Sequence, residues 1–127
     1  MIKLYNAFKR LQAMVEVYHW MYSKYDLHNV LGEFEENFYP LMDDLIESDV
    51  NINGNFSIES VNILVNRSTD INHIAVAKKD CLHELNAFHI TLAEYVLSIT
   101  YGKEVLIPIA EDIYRLLNKT SYKIKMT

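Results

Sequence analysis

Residues 1–25 read MIKLYNAFKRLQAMVEVYHWMYSKY, and one face of this stretch decides the fold. Its apolar positions recur at alternating intervals of four and three: Leu4, Phe8, Leu11, Val15, Tyr18, Tyr22 and Tyr25. This spacing is typical of a helix that buries one stripe against neighbouring helices. It predicts a first helix over Met1–Tyr25 that packs in a helical bundle.

A second stripe with the same spacing predicts a second helix. Its positions are Leu27, Leu31, Phe34, Phe38, Leu41 and Leu45. The stretch Ser23–Asp26 can form a capping box, so we expect a turn there and a helix that extends to about Asp49. Pro40 lacks the N–H of the i→i−4 bond and predicts a kink near residues 36–40. The segment Val50–Phe56 has a middle rich in Asn and Gly and is predicted as a loop.

The connection after this loop is too long for two adjacent antiparallel helices, which usually need about 2–8 residues. A crossover that carries a short helix at Ser57–Val65 explains the length better and makes the second and third helices parallel. The third helix is predicted over Ile71–Tyr101, with Gly102 as the C′ residue that ends it. A fourth helix begins near Lys103 and extends to about Tyr122. The predicted stripes are Ile74, Cys81, Leu85, Phe88, Leu92, Tyr95 and Ile99, then Ile109, Ile113, Leu116 and Leu117.

The predicted fold class is therefore all-α: an antiparallel four-helix bundle in one domain, residues 1–127, with a long crossover between helices 2 and 3. The chain has a net charge of −5. Because nucleic-acid binders usually have a basic surface, this charge disfavours a nucleic-acid partner. No apolar run reaches the roughly 20 residues that span a bilayer, so we expect no membrane partner. The N-terminus does not resemble a signal peptide, and Cys81 is the single cysteine, so we expect a cytoplasmic protein.

The chemistry that this sequence can support rests on histidine and carboxylate, because it has no phosphate loop, nucleophile elbow, CxxC or HExxH motif. His19 and His28 are equidistant from the predicted turn and should face each other across an antiparallel hairpin. Asp43 and Glu47 are four residues apart on one helix and can chelate one ion. His28 and Asp43 are about 22 Å apart along an unbroken helix. A two-fold dimer with antiparallel second helices would bring the His pair of one chain to the acidic pair of the other.

The spacing of these residues resembles the ferroxidase segment of the Dps family, the miniferritins of the ferritin-like superfamily. That family has a His-Trp pair late in its first helix, as in His19-Trp20 here. A second His lies early in the next helix and is followed fifteen residues later by Asp-x3-Glu, as in His28 and Asp43-x3-Glu47. The resemblance extends from Tyr5 to about Lys119.

The resemblance implies a ferritin-like bundle with an iron site between two subunits and oxidation of Fe(II) by peroxide or oxygen. Carried over by position, the metal ligands are His19, His28, Asp43 and Glu47, and Trp20 is the aromatic residue beside the site. The family forms hollow dodecamers, so a homo-oligomer of at least two subunits is implied. Where the family has an acid four residues after the second His, this chain has Gly32. Three acids could take its place: Glu33, Glu35 and Glu36.

Three other interpretations compete with this one. The first makes each histidine an ordinary polar residue, the acids a solvated face, and Trp20 and the stripe tyrosines part of the core. The second places a di-iron centre inside one bundle, because Glu16-x-x-His19 and Asp80-x-x-His83 have the spacing of carboxylate-bundle ligands. The third is a non-enzymatic helical interaction or assembly module that kept the fold and lost the metal site. The Asn, Ile, Lys and Tyr content is common in AT-rich genomes, including those of phages.

Overall fold

A computed structural model describes residues 1–22, 25–54 and 78–127 of the chain, and these residues form four α-helices and no β-strand. The helices are α1 (Ile2–Met21), α2 (Tyr25–Asn53), α3 (Lys78–Ser98) and α4 (Lys103–Met126). The prediction of an all-α helical bundle is confirmed. No helix in the described ranges is both long enough and apolar enough to cross a lipid bilayer.

The four helices pack around one core in a closed ring. α1 contacts α2 and α3, and α4 contacts the same two helices, so α2 and α3 lie diagonally across the bundle. Both run in the same direction, because Tyr95 near the end of α3 meets Asp49 near the end of α2. At the opposite end of the bundle, Lys78 and Tyr25 border the same small depression. Gly54 and Lys78 therefore lie at opposite ends of the molecule.

The parallel direction of α2 and α3 agrees with a crossover between them. The crossover and its predicted short helix at Ser57–Val65 lie outside the described residues, as does the capping residue Ser23. The part of the third helix that the sequence predicts before Lys78, including Ile74, is likewise outside the described ranges.

The core consists largely of the stripes that the sequence predicts, but the stripe of α4 differs. Its buried residues are Leu106, Ala110, Ile113, Leu117, Thr120 and Ile124, whereas Ile109 and Leu116 are only half-buried.

Other differences concern α1 and α2. Leu41 is only half-buried and Met42 is fully buried in its place, because a straight helix has 3.6 residues per turn and drifts away from a strict four-three repeat. Tyr25 is 78% exposed and belongs to α2 rather than to the stripe of α1. Trp20 is 69% exposed, so its assignment to the core was wrong. It lies two residues beyond Tyr18, which turns it to the opposite side of α1.

Aromatic rings fill the centre of the core. The Phe38 ring stacks on Phe34 with centroids 4.7 Å apart, and it makes edge contacts with Phe88 at 5.2 Å and Phe8 at 5.6 Å. These four residues come from α1, α2 and α3, so Phe38 joins three helices at one point. Edge-to-face and offset pairs of this kind add to the free energy gained by burial alone.

Four helix ends differ from the predictions. α1 ends at Met21 rather than Tyr25, and α4 extends to Met126 rather than to about Tyr122. α2 extends through Asn53, so the predicted loop at Val50–Phe56 was wrong for its first half. The helix ends at Gly54, whose φ of 104° is the left-handed conformation that favours glycine. The helix α3 ends at Ser98, and Gly102 precedes α4 as its N-cap instead of closing α3.

The helix α2 is continuous through Pro40, which is exposed. Solvent on that side can satisfy the carbonyl whose donor the proline removes. The kink that Pro40 predicts stays a prediction. Since α2 is unbroken, His28 and Asp43 remain about 22 Å apart within one chain.

Of the three glycines, Gly102 has the least room for a side chain. Its φ is 78°, and a Cβ atom there would lie 2.6 Å from Cδ1 of Ile52. We expect Gly102→Ala to lower the free energy of unfolding by about 2 kcal/mol, since left-handed backbone costs an L-residue about 1–2 kcal/mol before the contact with Ile52 is relieved.

Chemical denaturation measures this loss, and Gly54→Ala is the matched control. Gly54 also has a positive φ, but no described atom lies within 4 Å of its Cβ position. Equal losses in the two variants would show that the contact with Ile52 contributes nothing.

Candidate metal centre

The two histidines predicted as metal ligands on the first hairpin lie where α1 ends and α2 begins. His19 stands in the last turns of α1 and His28 in the first turn of α2. Their Nε2 atoms are 3.2 Å apart and their ring centroids are 4.1 Å apart. The two imidazoles therefore meet across the hairpin, as their equal distances from the turn predict.

The backbone fixes the orientation of the His28 ring. Nδ1 of His28 lies 2.9 Å from the carbonyl oxygen of His19. Because a carbonyl oxygen only accepts, Nδ1 of His28 is the donor and carries a proton. In the neutral ring Nε2 is then unprotonated, and its lone pair is directed at His19.

A carboxylate fixes the ring of His19 in the same way. Oε1 of Glu35 lies 3.1 Å from Nδ1 of His19, and both side chains are largely buried, at 19% and 22% exposure. An ionised Glu35 only accepts, so Nδ1 of His19 donates to it. Burial raises the pKa of the Glu35 carboxyl, whereas the His19 imidazole beside it acts in the opposite direction.

These two hydrogen bonds leave the Nε2 atoms of the two neutral rings unprotonated and directed at each other. With each Nδ1 acting as a donor, the two Nε2 atoms present lone pairs to each other at 3.2 Å. Two lone pairs at this distance repel unless a proton or a metal cation lies between them. Two nitrogen ligands of one tetrahedral Zn²⁺, each about 2.0–2.1 Å from the metal, are about 3.3 Å apart. The Nε2 pair therefore fits a shared transition metal as half of a ligand set.

Gly32 gives the His19 ring room to lie close to α2. A Cβ atom at Gly32 would lie 3.3 Å from Nε2 of His19 and 3.4 Å from its Cε1. Any side chain here would crowd the imidazole. The absence of a side chain at Gly32 therefore lets the His19 ring approach His28, besides removing the acid that the Dps family has at this position.

Of the three acids that could replace the one missing at Gly32, only Glu35 contacts the histidines. Glu33 instead binds Lys123 at 3.0 Å and lies 3.9 Å from Lys119. Its hydrogen bond to Lys123 lowers the pKa of the Glu33 carboxyl. Glu36 is exposed. Glu35 binds the Nδ1 side of His19, so it supports the ring and does not occupy the position between the Nε2 atoms.

The predicted acidic ligands lie apart from the histidines in the same chain. Asp43 and Glu47 are exposed on α2, four to five turns beyond His28. In the described ranges, no three His, Cys, Asp or Glu side chains are grouped so that they could hold a metal ion. The structure thus brings together His19 and His28, and it does not bring Asp43 or Glu47 to them within one chain.

The same finding bears on the di-iron interpretation. A centre shared by Glu16, His19, Asp80 and His83 would need all four side chains to converge, and no such group exists in the part of the chain that the structure describes. His83 is exposed on α3. Glu84, one residue further, forms a two-point hydrogen-bonded ion pair with Arg10 of α1 at 3.0 and 3.1 Å.

Cys81 is separate from this site. It is fully buried in the core, and burial raises the pKa of its thiol to about 12. A thiol in this environment stays protonated at neutral pH and is a poor nucleophile.

The chain was compared with protein-family models, with curated proteins and with solved structures, and none of the three comparisons finds a match.

Proposed function

We propose that this protein is a Dps-like, ferritin-fold iron-binding protein whose site lies at a two-fold subunit interface. In this proposal His19 and His28 of one chain supply neutral nitrogen ligands, and Asp43 and Glu47 of a second chain supply charge and oxygen. The bound Fe(II) is the substrate, which peroxide or oxygen oxidises. The protein acts in the reducing cytoplasm, where the single buried Cys81 stays a thiol.

One observation carries the proposal: the two Nε2 atoms are 3.2 Å apart and both Nδ1 atoms are held by acceptors. Ligating histidines usually donate their other ring N–H to a carboxylate or a backbone carbonyl. Here one ring has each kind of partner. Mixed imidazole and carboxylate ligands suit Fe(II), and they also suit Zn and Mn.

The second chain is needed because the described residues of one chain supply only two ligands. Three large apolar side chains are exposed next to the histidine pair, at the same end of the hairpin: Trp20 at 69%, Met21 at 49% and Tyr25 at 78%. Contact with another subunit would bury them. The parallel course of α2 and α3 also agrees with a ferritin-like connection.

The experiment that tests the function is an anaerobic Fe(II) titration followed by exposure to air or peroxide, with ferric-oxo absorbance as the readout. We expect stoichiometric binding and oxidation by the wild type, and loss of both in Asp43→Ala. The neighbouring exposed acid gives a matched control, since Asp44→Ala removes the same charge one position away and should behave as wild type.

An equal loss in the two variants would mean that only the general acidity of α2 matters. The absence of binding by the wild type would refute the proposal and favour the alternative, a helical interaction or assembly module without a metal. That alternative draws on one finding, that no three-ligand group exists within the described residues. Its partner would cover Trp20, Met21 and Tyr25. A nucleic-acid partner is disfavoured by the net charge of −5 and by the pairing of Lys119 and Lys123 with Glu33.

A further inference from the structure

We propose that Glu35 is the positioning residue of the histidine pair: its carboxylate holds His19 with the proton on Nδ1 and so directs the Nε2 lone pair toward His28. This inference rests on the proposed function, because it assigns the group that prepares His19 for a metal. Glu35 does not itself bind the metal.

Glu35 contacts the side of the His19 ring that faces away from His28. Glu35 meets Nδ1 of His19 at 3.1 Å, whereas Nε2 of the same ring meets His28 at 3.2 Å. The carboxylate and the second imidazole thus occupy opposite sides of one ring. A ring with a carboxylate on Nδ1 donates from that nitrogen and keeps Nε2 free to bind a cation.

The pair formed by Glu35 and His19 is largely shielded from solvent. Both side chains are four-fifths buried between α1 and α2. The contact also joins the two helices, so it holds the ring against rotation about its side-chain bonds. A partly buried, charge-assisted hydrogen bond is stronger than a neutral one, and solvent competes less for it than for the exposed acids nearby.

The two histidine rings have acceptors of different kinds. The carbonyl of His19 accepts from Nδ1 of His28, and Glu35 accepts from Nδ1 of His19. The backbone acceptor cannot be removed by a side-chain substitution, but the carboxylate can. Glu35 is therefore a position where the hydrogen bond that orients His19 can be removed without changing either histidine.

The test uses Glu35→Gln, Glu35→Ala and the control Glu36→Ala, which removes the adjacent exposed acid. In the metal-free wild type, nitrogen-resolved NMR should show a proton bound to Nδ1 of His19. Glu35→Ala should lose this resonance. Glu35→Gln retains an oxygen acceptor and should retain the resonance at least in part, and Glu36→Ala should match the wild type.

The second readout is Zn²⁺ affinity, measured by titration of the same proteins. Loss of an outer-sphere acceptor costs about 10–100-fold in metal affinity. We expect a loss of this size in Glu35→Ala, a smaller loss in Glu35→Gln and none in Glu36→Ala, with unchanged helix content by circular dichroism.

The two proposals fail in different ways. If His19 carries no proton on Nδ1, or if the resonance persists in Glu35→Ala, the positioning role is refuted whether or not the protein binds metal. If the resonance behaves as expected and the wild type binds no Zn²⁺ or Fe(II), the positioning of the ring stands as a structural fact and the metal-binding function fails. A gain of affinity in Glu35→Ala would also overturn the inference.

Discussion

Replacing His28 with alanine is expected to weaken binding of Co²⁺ or Zn²⁺ by at least about 100-fold, since even the loss of an outer-sphere partner costs about 10–100-fold. The reason is the shared position between the rings. His19 and His28 place their Nε2 atoms 3.2 Å apart, so a cation there has two nitrogen ligands and loses one of them in the variant. Calorimetry, or the visible absorbance of bound Co²⁺, measures the change.

His83→Ala is the matched control for this substitution. His83 is exposed, as His28 is, but it lies on α3, where it borders a depression shared with α4. We expect it to bind metal as tightly as the wild type. Unchanged affinity in His28→Ala would show that the metal binds elsewhere, and equal losses in both variants would indicate non-specific binding by surface histidines.

The second large effect is on the free energy of unfolding, when an aromatic residue at the centre of the core is truncated. Phe38→Ala should lower the free energy of unfolding by about 3–5 kcal/mol, which is the usual cost of truncating a buried Phe. Phe38 is fully buried and contacts the rings of Phe8, Phe34 and Phe88 from three helices. For a domain of this size the corresponding fall in Tm is about 10–20 °C.

Leu97→Ala serves as the control for the core substitution, because Leu97 is 87% exposed and its truncation should stay within about 0.5 kcal/mol. Denaturant unfolding of both variants gives the comparison. A loss below about 1 kcal/mol in Phe38→Ala would contradict the packing described for the centre of the bundle.

Periodicity in the sequence predicted most of the helical architecture, because the burial of one helix face is enough to produce that periodicity. Each described helix buries residues three and four apart, so the stripes of α1, α2 and α3 can be read from the chain. The end of α2 was harder to place, because Asn-Gly also occurs in loops. In the structure the helix uses Gly54 as its terminating residue, and the three residues before it stay helical. The exposure of Trp20 was not predicted, because tryptophan is usually buried and the position of residue 20 on the opposite side of α1 was given less weight.

The contact between the two histidines was predictable, whereas their supporting contacts were not. Equal distances from a turn place two residues at the same height of a hairpin, and this rule needs only the sequence. The partner of Glu35 depends on its rotamer and on competition among neighbouring acids. Glu33 accepts a hydrogen bond from Lys123, ninety residues away, whereas Glu35 accepts one from His19. The role of Gly32 likewise becomes visible only when the ring lies over it.

The measurement that tests the central claim most directly is X-ray absorption at the Zn edge of the Zn²⁺-loaded protein, recorded for the wild type and for His28→Ala. The account predicts scattering from two imidazole rings with nitrogen at about 2.0–2.1 Å in the wild type, and from one ring or no bound metal in the variant. A metal shell without imidazole, or an identical two-imidazole shell in both proteins, would contradict the assignment of His19 and His28 as the metal ligands.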